Sequence, residues 1–333
     1  MAIVQLIEEK IKSKDFLSNI IGLDEEKELL KSALISNHHI LLVGPPGTGK
    51  TTIAKSISEL LPEIELYEAS GFRFTKDSIF YKYFKDRAKK VKLSGSERFV
   101  RIQGSPDLTA EDLLGDINPV AALKYGAYSL EAFKPGKIFL ANKGVLFFDE
   151  VNRAPEKVQN ALLQVLAERK ATIGSYEIEF PLDFILIATM NPDDASTEPL
   201  SDVFLDRFDV IYIHYPKTIE DEIKIVLVNG NNFDVKVSKE MLYAIVGFIR
   251  SLRNDEFEKK PSVRSSISLY TRSCATAHLK NHDALLLEDI TENIVSVLAH
   301  RVRLKPSLRF TTDLKEYLIR KWHNFLKHHG DYF

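Results

Sequence analysis

The stretch Gly44-Pro45-Pro46-Gly47-Thr48-Gly49-Lys50-Thr51 fits G-x-x-x-x-G-K-[ST], the pattern of a phosphate-binding loop. No other feature restricts the fold as strongly, because such a loop belongs between a buried strand and a helix. The apolar run Ile40-Leu41-Leu42-Val43 precedes it and reads as a parallel strand. Thr52-Ile53-Ala54-Lys55-Ser56-Ile57 follows with helical spacing. The glycines let the backbone turn and bring its N–H groups close to a phosphate. The following helix adds the positive end of its dipole. Lys50 would neutralise the β- and γ-phosphates, and the Thr51 hydroxyl would ligate Mg²⁺, with Thr52 beside it. The alternative, a glycine-rich turn with a chance lysine, is set aside by the strand–helix context.

A second chemical element lies at Gly144-Val145-Leu146-Phe147-Phe148-Asp149-Glu150. The apolar residues make a buried strand, and two carboxylates stand at its C-terminal end, the edge where doubly wound sheets bind ligands. Asp149 can hold Mg²⁺ and Glu150 can orient or deprotonate an attacking water. Phe184 to Thr189 is another buried strand with Asn191 just past its end, either a polar contact for the γ-phosphate and water or a simple loop cap. Upstream, Ile20-Ile21-Gly22 either walls an adenine ring or packs in the core, and Asp24 is placed as the N-cap of the next helix. The run Leu205-Asp206-Arg207-Phe208 precedes a last strand, Val210 to His214. There Arg207 could fork across two phosphate oxygens or pair with Asp206 or Asp209.

Strands then vanish, and helical patterns near 219–229, 238–253, 263–280, 288–301 and 312–328 mark an all-α second domain. The fold class expected is α/β: an αβα parallel-sheet core over residues 1–216 followed by a helical domain over 217–333. A length of 333 residues suits two domains. A net charge of -2 gives no global drive toward nucleic acid or an anionic membrane. Cys274, the single cysteine, excludes an internal disulfide and reads as a small buried residue. Glu8 and Glu9 argue against a signal peptide, and no apolar run approaches a membrane span, so a cytoplasmic location is expected.

One region departs from this pattern. Residues 72–101 carry ten Lys or Arg, among them Lys89, Lys90 and Lys92, against Asp77, Asp86 and Glu97. Phe72, Phe74, Phe80, Tyr81, Tyr83, Phe84 and Phe99 interleave with them. This composition suits a nucleic-acid surface. It equally suits an amphipathic helix with a solvated lysine face, the reading favoured here because no second basic patch accompanies it. Residues 115–137 look like an irregular insertion.

Together these pieces resemble an AAA+ ATPase, over nearly the whole chain. Gly44–Thr51 resembles its Walker A motif, Leu146–Glu150 its Walker B, Asn191 sensor 1, Arg207 the arginine finger, Arg264 sensor 2, and Ile20-Ile21-Gly22 the adenine-side motif. Within that class the chain is similar to the helix-2-insert clade. Residues 116–135 resemble the insert of the magnesium-chelatase I subunit. Asp149-Glu150-Val151-Asn152-Arg153-Ala154-Pro155 resembles MoxR, and residues 171–180 take the place of the hairpin before sensor 1. The resemblance implies ATP and Mg²⁺ as cofactors and a homo-oligomeric ring, a hexamer, in which Arg207 reaches a neighbour's nucleotide. It also implies a lid domain at 217–333 and a partner with a von Willebrand factor A domain. The work implied is remodelling or loading of a client protein; a chelatase-like motor for tetrapyrrole metal insertion and a nucleic-acid motor are the other classes. Lys50→Ala is expected to abolish tight ATP binding, and calorimetry showing unchanged affinity would overturn the loop assignment.

Overall fold

The computed structural model describes residues 3–126, 129–172, 179–192, 200–310 and 312–329. Contacts divide the chain into two compact units, Met1–Gly44 with Gly49–Ile213, and Pro45–Thr48 with His214–Phe333.

The first unit is built on five parallel strands: β1 (His39–Val43), β2 (Phe99–Gln103), β3 (Val145–Asp149), β4 (Ile185–Met190) and β5 (Phe208–Tyr212). They lie in the order β5-β1-β4-β3-β2. The three central strands are buried almost throughout. Both faces are covered, which is why their sequences are continuous apolar runs rather than alternating ones. Side chains still alternate between faces. Ile40, Leu42, Phe147 and Ile187 join one apolar cluster with Ile53, Ile57 and Leu30 from the helices Lys50–Leu60 and Asp24–Ile35. Leu41, Val43, Phe148 and Leu186 join the opposite cluster with Val158, Leu162 and Val165 from the helix Glu156–Glu168. The helix Asp24–Ile35 starts one residue earlier than expected. Leu23, at φ 59°, stands outside it as the cap without a side-chain bond, and Asp24 is the first helical residue.

The basic aromatic stretch is not one amphipathic helix. It forms the strands Phe72–Phe74 and Lys89–Leu93, which flank Ile64–Ala69 in an antiparallel sheet, with only the short helix Ile79–Phe84 between them. Phe72, Phe74, Phe80 and Phe84 are buried, and Phe72 and Phe80 also pack on Phe180 at ring separations of 5.8 and 4.7 Å. Burying each contributes roughly 1.5–3 kcal/mol. Their pattern, two residues apart and then four apart, is a strand followed by a helix turn. Lys90 and Lys92 pair across the sheet with Glu65 and Glu63 at 2.9 and 2.5 Å. Arg98 is fully buried and donates to three main-chain carbonyls, those of Ser94, Pro62 and Lys143. Burial lowers its pKa to about 10, so it stays charged at neutral pH. The insertion expected to be irregular contains regular elements: strands Gly115–Ile117 and Phe133–Pro135 pair antiparallel, and the helix Pro119–Tyr125 stands between them, capped by Asn118; residues 127 and 128 lie outside the described residues. The expected hairpin over 171–180 is described only at its ends, where Lys170–Thr172 pairs with Glu179–Pro181; residues 173–178 lie outside the described residues.

The second unit contains the helices Ile219–Asn229, Lys239–Ser251, Val263–Leu279, Leu287–Leu298 and Leu314–His328. It is not purely helical, since Phe257–Lys259 pairs with Arg303–Leu304. Trp322 sits at the core against Phe248, and its indole N–H donates to Thr291 Oγ1 at 2.8 Å. Cys274 is buried here, and burial pushes its thiol up to about 11, so it is inert at neutral pH. Among the described residues, no helix of either unit is long and apolar enough to cross a membrane.

Glu222 is the polar centre of this unit. Its buried carboxylate accepts two bonds from Arg253 at 2.6 and 2.7 Å, one from Arg250 at 3.1 Å and one from Ser266 Oγ at 2.6 Å. Arg250 also donates to the carbonyls of Pro216, Lys217 and Thr218. Removing the carboxylate strands two guanidinium groups. Glu222→Ala is expected to cost about 3–5 kcal/mol, read by urea unfolding through the fluorescence of Trp322, the only tryptophan.

Candidate functional site

The C-terminal ends of the parallel strands gather the polar residues. β1 leads into Gly44, whose N–H donates to Met190 O at 3.1 Å. A Cβ at Gly44 would lie 2.1 Å from Ile213 O, so only glycine lets the chain leave the sheet here. Gly49, at φ 92°, precedes the helix Lys50–Leu60. The Lys50 ammonium donates back to Gly44 O at 2.6 Å. Thr51 and Thr52 open the same helix, Thr51 half-buried and Thr52 exposed. Ile20 is buried in the apolar cluster behind the loop, and Ile21 and Gly22 are half-buried.

The tip of the loop, Pro45–Thr48, belongs to the second unit. Thr48 Oγ1 donates to Pro45 O at 3.0 Å. A Cβ at Gly47 would lie 2.8 Å from Ser262 Cβ and 3.5 Å from Arg264 Cγ. Arg264 is exposed, the second residue of the helix Val263–Leu279. Pro46, between these glycine and proline neighbours, is exposed.

Asp149 ends β3, and Glu150 follows in a left-handed conformation at φ 55°, ψ 52°. A non-glycine residue reaches that region at some cost in energy and needs its surroundings to hold it. Thr189 of β4, fully buried, supplies part of that hold. Its hydroxyl accepts from the Glu150 N–H at 2.9 Å and donates to Asp149 Oδ1 at 2.7 Å. Gly104 supplies another, donating to Asp149 O at 2.7 Å and leaving no room for a Cβ beside Glu150 O. Arg101 Nη2 donates to Asp149 Oδ2 at 2.5 Å and to Gln103 Oε1 at 3.0 Å. Gln103 Nε2 donates to Glu150 Oε2 at 3.1 Å, and Arg153 Nη1 pairs with the same oxygen at 3.1 Å. Asn191 is half-buried past the end of β4, and its carbonyl lies 3.5 Å from Asn152 Nδ2. Both carboxylates are thus held by positive or polar groups on β2 and β4 and just after β3. Thr189, Arg101 and Gln103 carry no signal of this role in the sequence, since only the sheet order sets them beside Asp149 and Glu150, whereas Arg153 is a local partner three residues after Glu150.

A hydroxyl at Thr51 and a carboxylate at Asp149 are hard oxygen donors, the set that Mg²⁺ takes, and no soft ligand competes among the residues just named. Arg207 is exposed beyond the short helix Asp202–Leu205. Among the described residues it pairs with neither Asp206 nor Asp209; Asp209 instead faces His38 Nδ1 at 3.1 Å.

Three comparisons say what the chain is similar to. The model of the ATPase family associated with various cellular activities matches residues 85–210. That of magnesium chelatase, subunit ChlI, matches 16–89, and an AAA lid domain matches 259–316. The chain is 26% identical over 317 residues to a magnesium-chelatase subunit ChlI homolog of Methanocaldococcus jannaschii, covering 84% of each. It is 26% identical over 318 residues to the chaperone MoxR1 of Mycobacterium tuberculosis, covering 86% of this chain and 73% of that protein. In fold it is similar to the RuvB Holliday junction branch migration motor of Thermotoga maritima. The TM-score is 0.51 at 19% identity, over 86% of this chain and 73% of that one.

Thr189→Val keeps the shape of the buried side chain but orphans the Glu150 N–H and one Asp149 oxygen. The expected loss is about 1–3 kcal/mol of stability, measured by thermal and urea unfolding, with turnover falling in the same variant.

Proposed function

The chain belongs to the AAA+ ATPases, in the group of the magnesium-chelatase I subunits and MoxR chaperones, and from that premise we propose that it works as a ring hydrolysing ATP to ADP and phosphate at its subunit interfaces. The carboxylate pair at the end of a buried strand, held by Thr189 and facing the phosphate-loop edge of the sheet, carries this reading. Gly44–Thr52 would bind the phosphates, with Lys50 exchanging the Gly44 carbonyl for phosphate oxygens. Thr51 and Asp149 would hold Mg²⁺, which neutralises charge on the transferred phosphoryl group. Glu150 would take the proton of the attacking water, and Asn191 would orient that water. Arg264 would contact the nucleotide, and Ile20, Ile21 and Gly22 would bound the adenine.

Arg207 supports the ring. An exposed guanidinium without a carboxylate partner among the described residues is suited to a group supplied from outside its own subunit. The output proposed is mechanical: remodelling a client protein or loading it with a cofactor or metal, with a von Willebrand factor A domain protein as partner. The chelatase-like alternative, metal insertion into a tetrapyrrole, draws on the similarity to the ChlI homolog. The nucleic-acid motor loses its internal support, since most of the aromatics in 72–101 are packed in the core and two of the lysines are paired with Glu63 and Glu65.

Arg207→Ala is expected to keep ATP binding and lose on the order of 10³-fold or more in turnover. Mixing it with Lys50→Ala protein should restore part of the activity, once subunit exchange is shown by fluorescence transfer. A mixture that exchanges and stays inactive at every ratio, or normal hydrolysis by Arg207→Ala alone, rejects the interface reading.

A further inference from the structure

We propose that Arg101 is a built-in competitor for the metal position at Asp149, a positioning residue whose guanidinium must leave before Mg²⁺ can bind, and which therefore sets how much Mg²⁺ the site requires. The two oxygens of Asp149 are held in unlike ways. Oδ1 is fixed by the hydroxyl of Thr189, which is fully buried in the central strand β4 and has nowhere to go. Oδ2 is held at 2.5 Å by Arg101 Nη2, from the edge strand β2. The Asp149 side chain is 15% exposed and that of Arg101 51% exposed, so the carboxylate is sheltered while its partner stands half in water. The other bond of Arg101 goes to Gln103, a neutral amide two residues along the same strand. Among the described residues no second carboxylate anchors it, so it can swing outward at the cost of one ion pair and one amide contact. Oδ2 is thus the exchangeable oxygen.

The chemistry of exchange follows. A guanidinium is charged at every accessible pH, so protonation cannot remove it from Asp149. A divalent ion and a guanidinium on the same oxygen repel one another. Mg²⁺ must also meet a near-octahedral geometry and sheds water reluctantly, so it gains little from a carboxylate still bound to another cation. Metal entry and guanidinium departure are then a single substitution. The strength of the Arg101–Asp149 pair is subtracted from the apparent affinity for Mg²⁺. For a pair with one half-exposed member this corresponds to about two- to tenfold in metal concentration.

The inference rests on the reading that Asp149 faces Mg²⁺, and the test separates the two. The full-length protein is titrated with Mg²⁺ in the presence of fluorescent ADP, and Mn²⁺ binding is followed in parallel by paramagnetic resonance. Arg101→Gln should lower the half-saturating Mg²⁺ about two- to tenfold and tighten Mn²⁺ binding by a similar factor. Arg101→Lys, which keeps the cation, should stay near the wild type. Thermal unfolding of each variant confirms that it is folded. An unchanged or higher metal requirement in folded Arg101→Gln overturns the competitor role, as does an Arg101→Lys variant that behaves like Arg101→Gln. Asp149→Asn is the control for the underlying reading. If it weakens the metal dependence while Arg101→Gln has no effect, only the inference on Arg101 fails. If it leaves the metal dependence untouched, both fail together.

Discussion

A sheet covered on both faces has no water with which to pair its backbone, so every N–H and C=O of β1, β3 and β4 must find a partner sideways, in the neighbouring strand. Apart from His39 and Thr189, side chains along these strands up to Asp149 are apolar for the same reason. Polar chemistry is left only where the strands stop. Lys50, Asp149, Glu150 and Asn191 all lie at or just past such an end, and parallel strands place those ends on one edge.

The edge is more than a collection of ends, because neighbouring strands stabilise one another's polar groups there. Thr189 is the clearest case. One hydroxyl satisfies a carboxylate oxygen on one residue and an amide on the next, and so couples the side-chain position of Asp149 to the backbone turn at Glu150. The strand on the other side contributes Arg101 and Gln103, which hold the same two residues from the opposite direction. Asp149 and Glu150 are therefore oriented by both flanking strands, with β4 as the rigid side and edge strand β2 as the exposed one.

Much of this is legible in the sequence. The loop at 44–51, the carboxylates at 149 and 150 and the position of Asn191 follow from local patterns, because each motif sits on a strand whose apolar run is unmistakable. The five longer helices described in the second unit are legible from spacing as well, while the short helix Pro306–Arg309 is not. What failed to show was set by partners distant in the chain. Glu222 meets Arg253 and Ser266, 31 and 44 residues away, and nothing about an isolated glutamate in a helix announces that burial. The stretch 72–101 reads as a helix from its composition alone, whereas the antiparallel register of Lys89–Leu93 on Ile64–Ala69, which brings Lys90 and Lys92 diagonally onto Glu65 and Glu63, makes it a strand. Arg101 reads in the sequence only as part of a basic patch, although the register of β2 on β3, which sets Gln103 opposite Asp149, leaves Arg101 two residues back on the same strand and within reach of that carboxylate.

Arg98 has a consequence for how the first unit assembles. Among the described residues no carboxylate pairs with its charge, which is solvated instead by the carbonyls of Pro62, Ser94 and Lys143, each closing a separate segment of the chain. Those carbonyls come from the end of the helix after the phosphate loop, from the end of the lysine-bearing strand and from the turn before β3. A partly assembled unit, with any one of these segments absent, would enclose a guanidinium lacking part of its solvation. Such species are disfavoured, so the three segments come together in concert and separate in concert. A residue that touches neither nucleotide loop nor carboxylate pair thus acts as a cooperativity lock, joining the antiparallel sheet to the parallel one as a single folding unit.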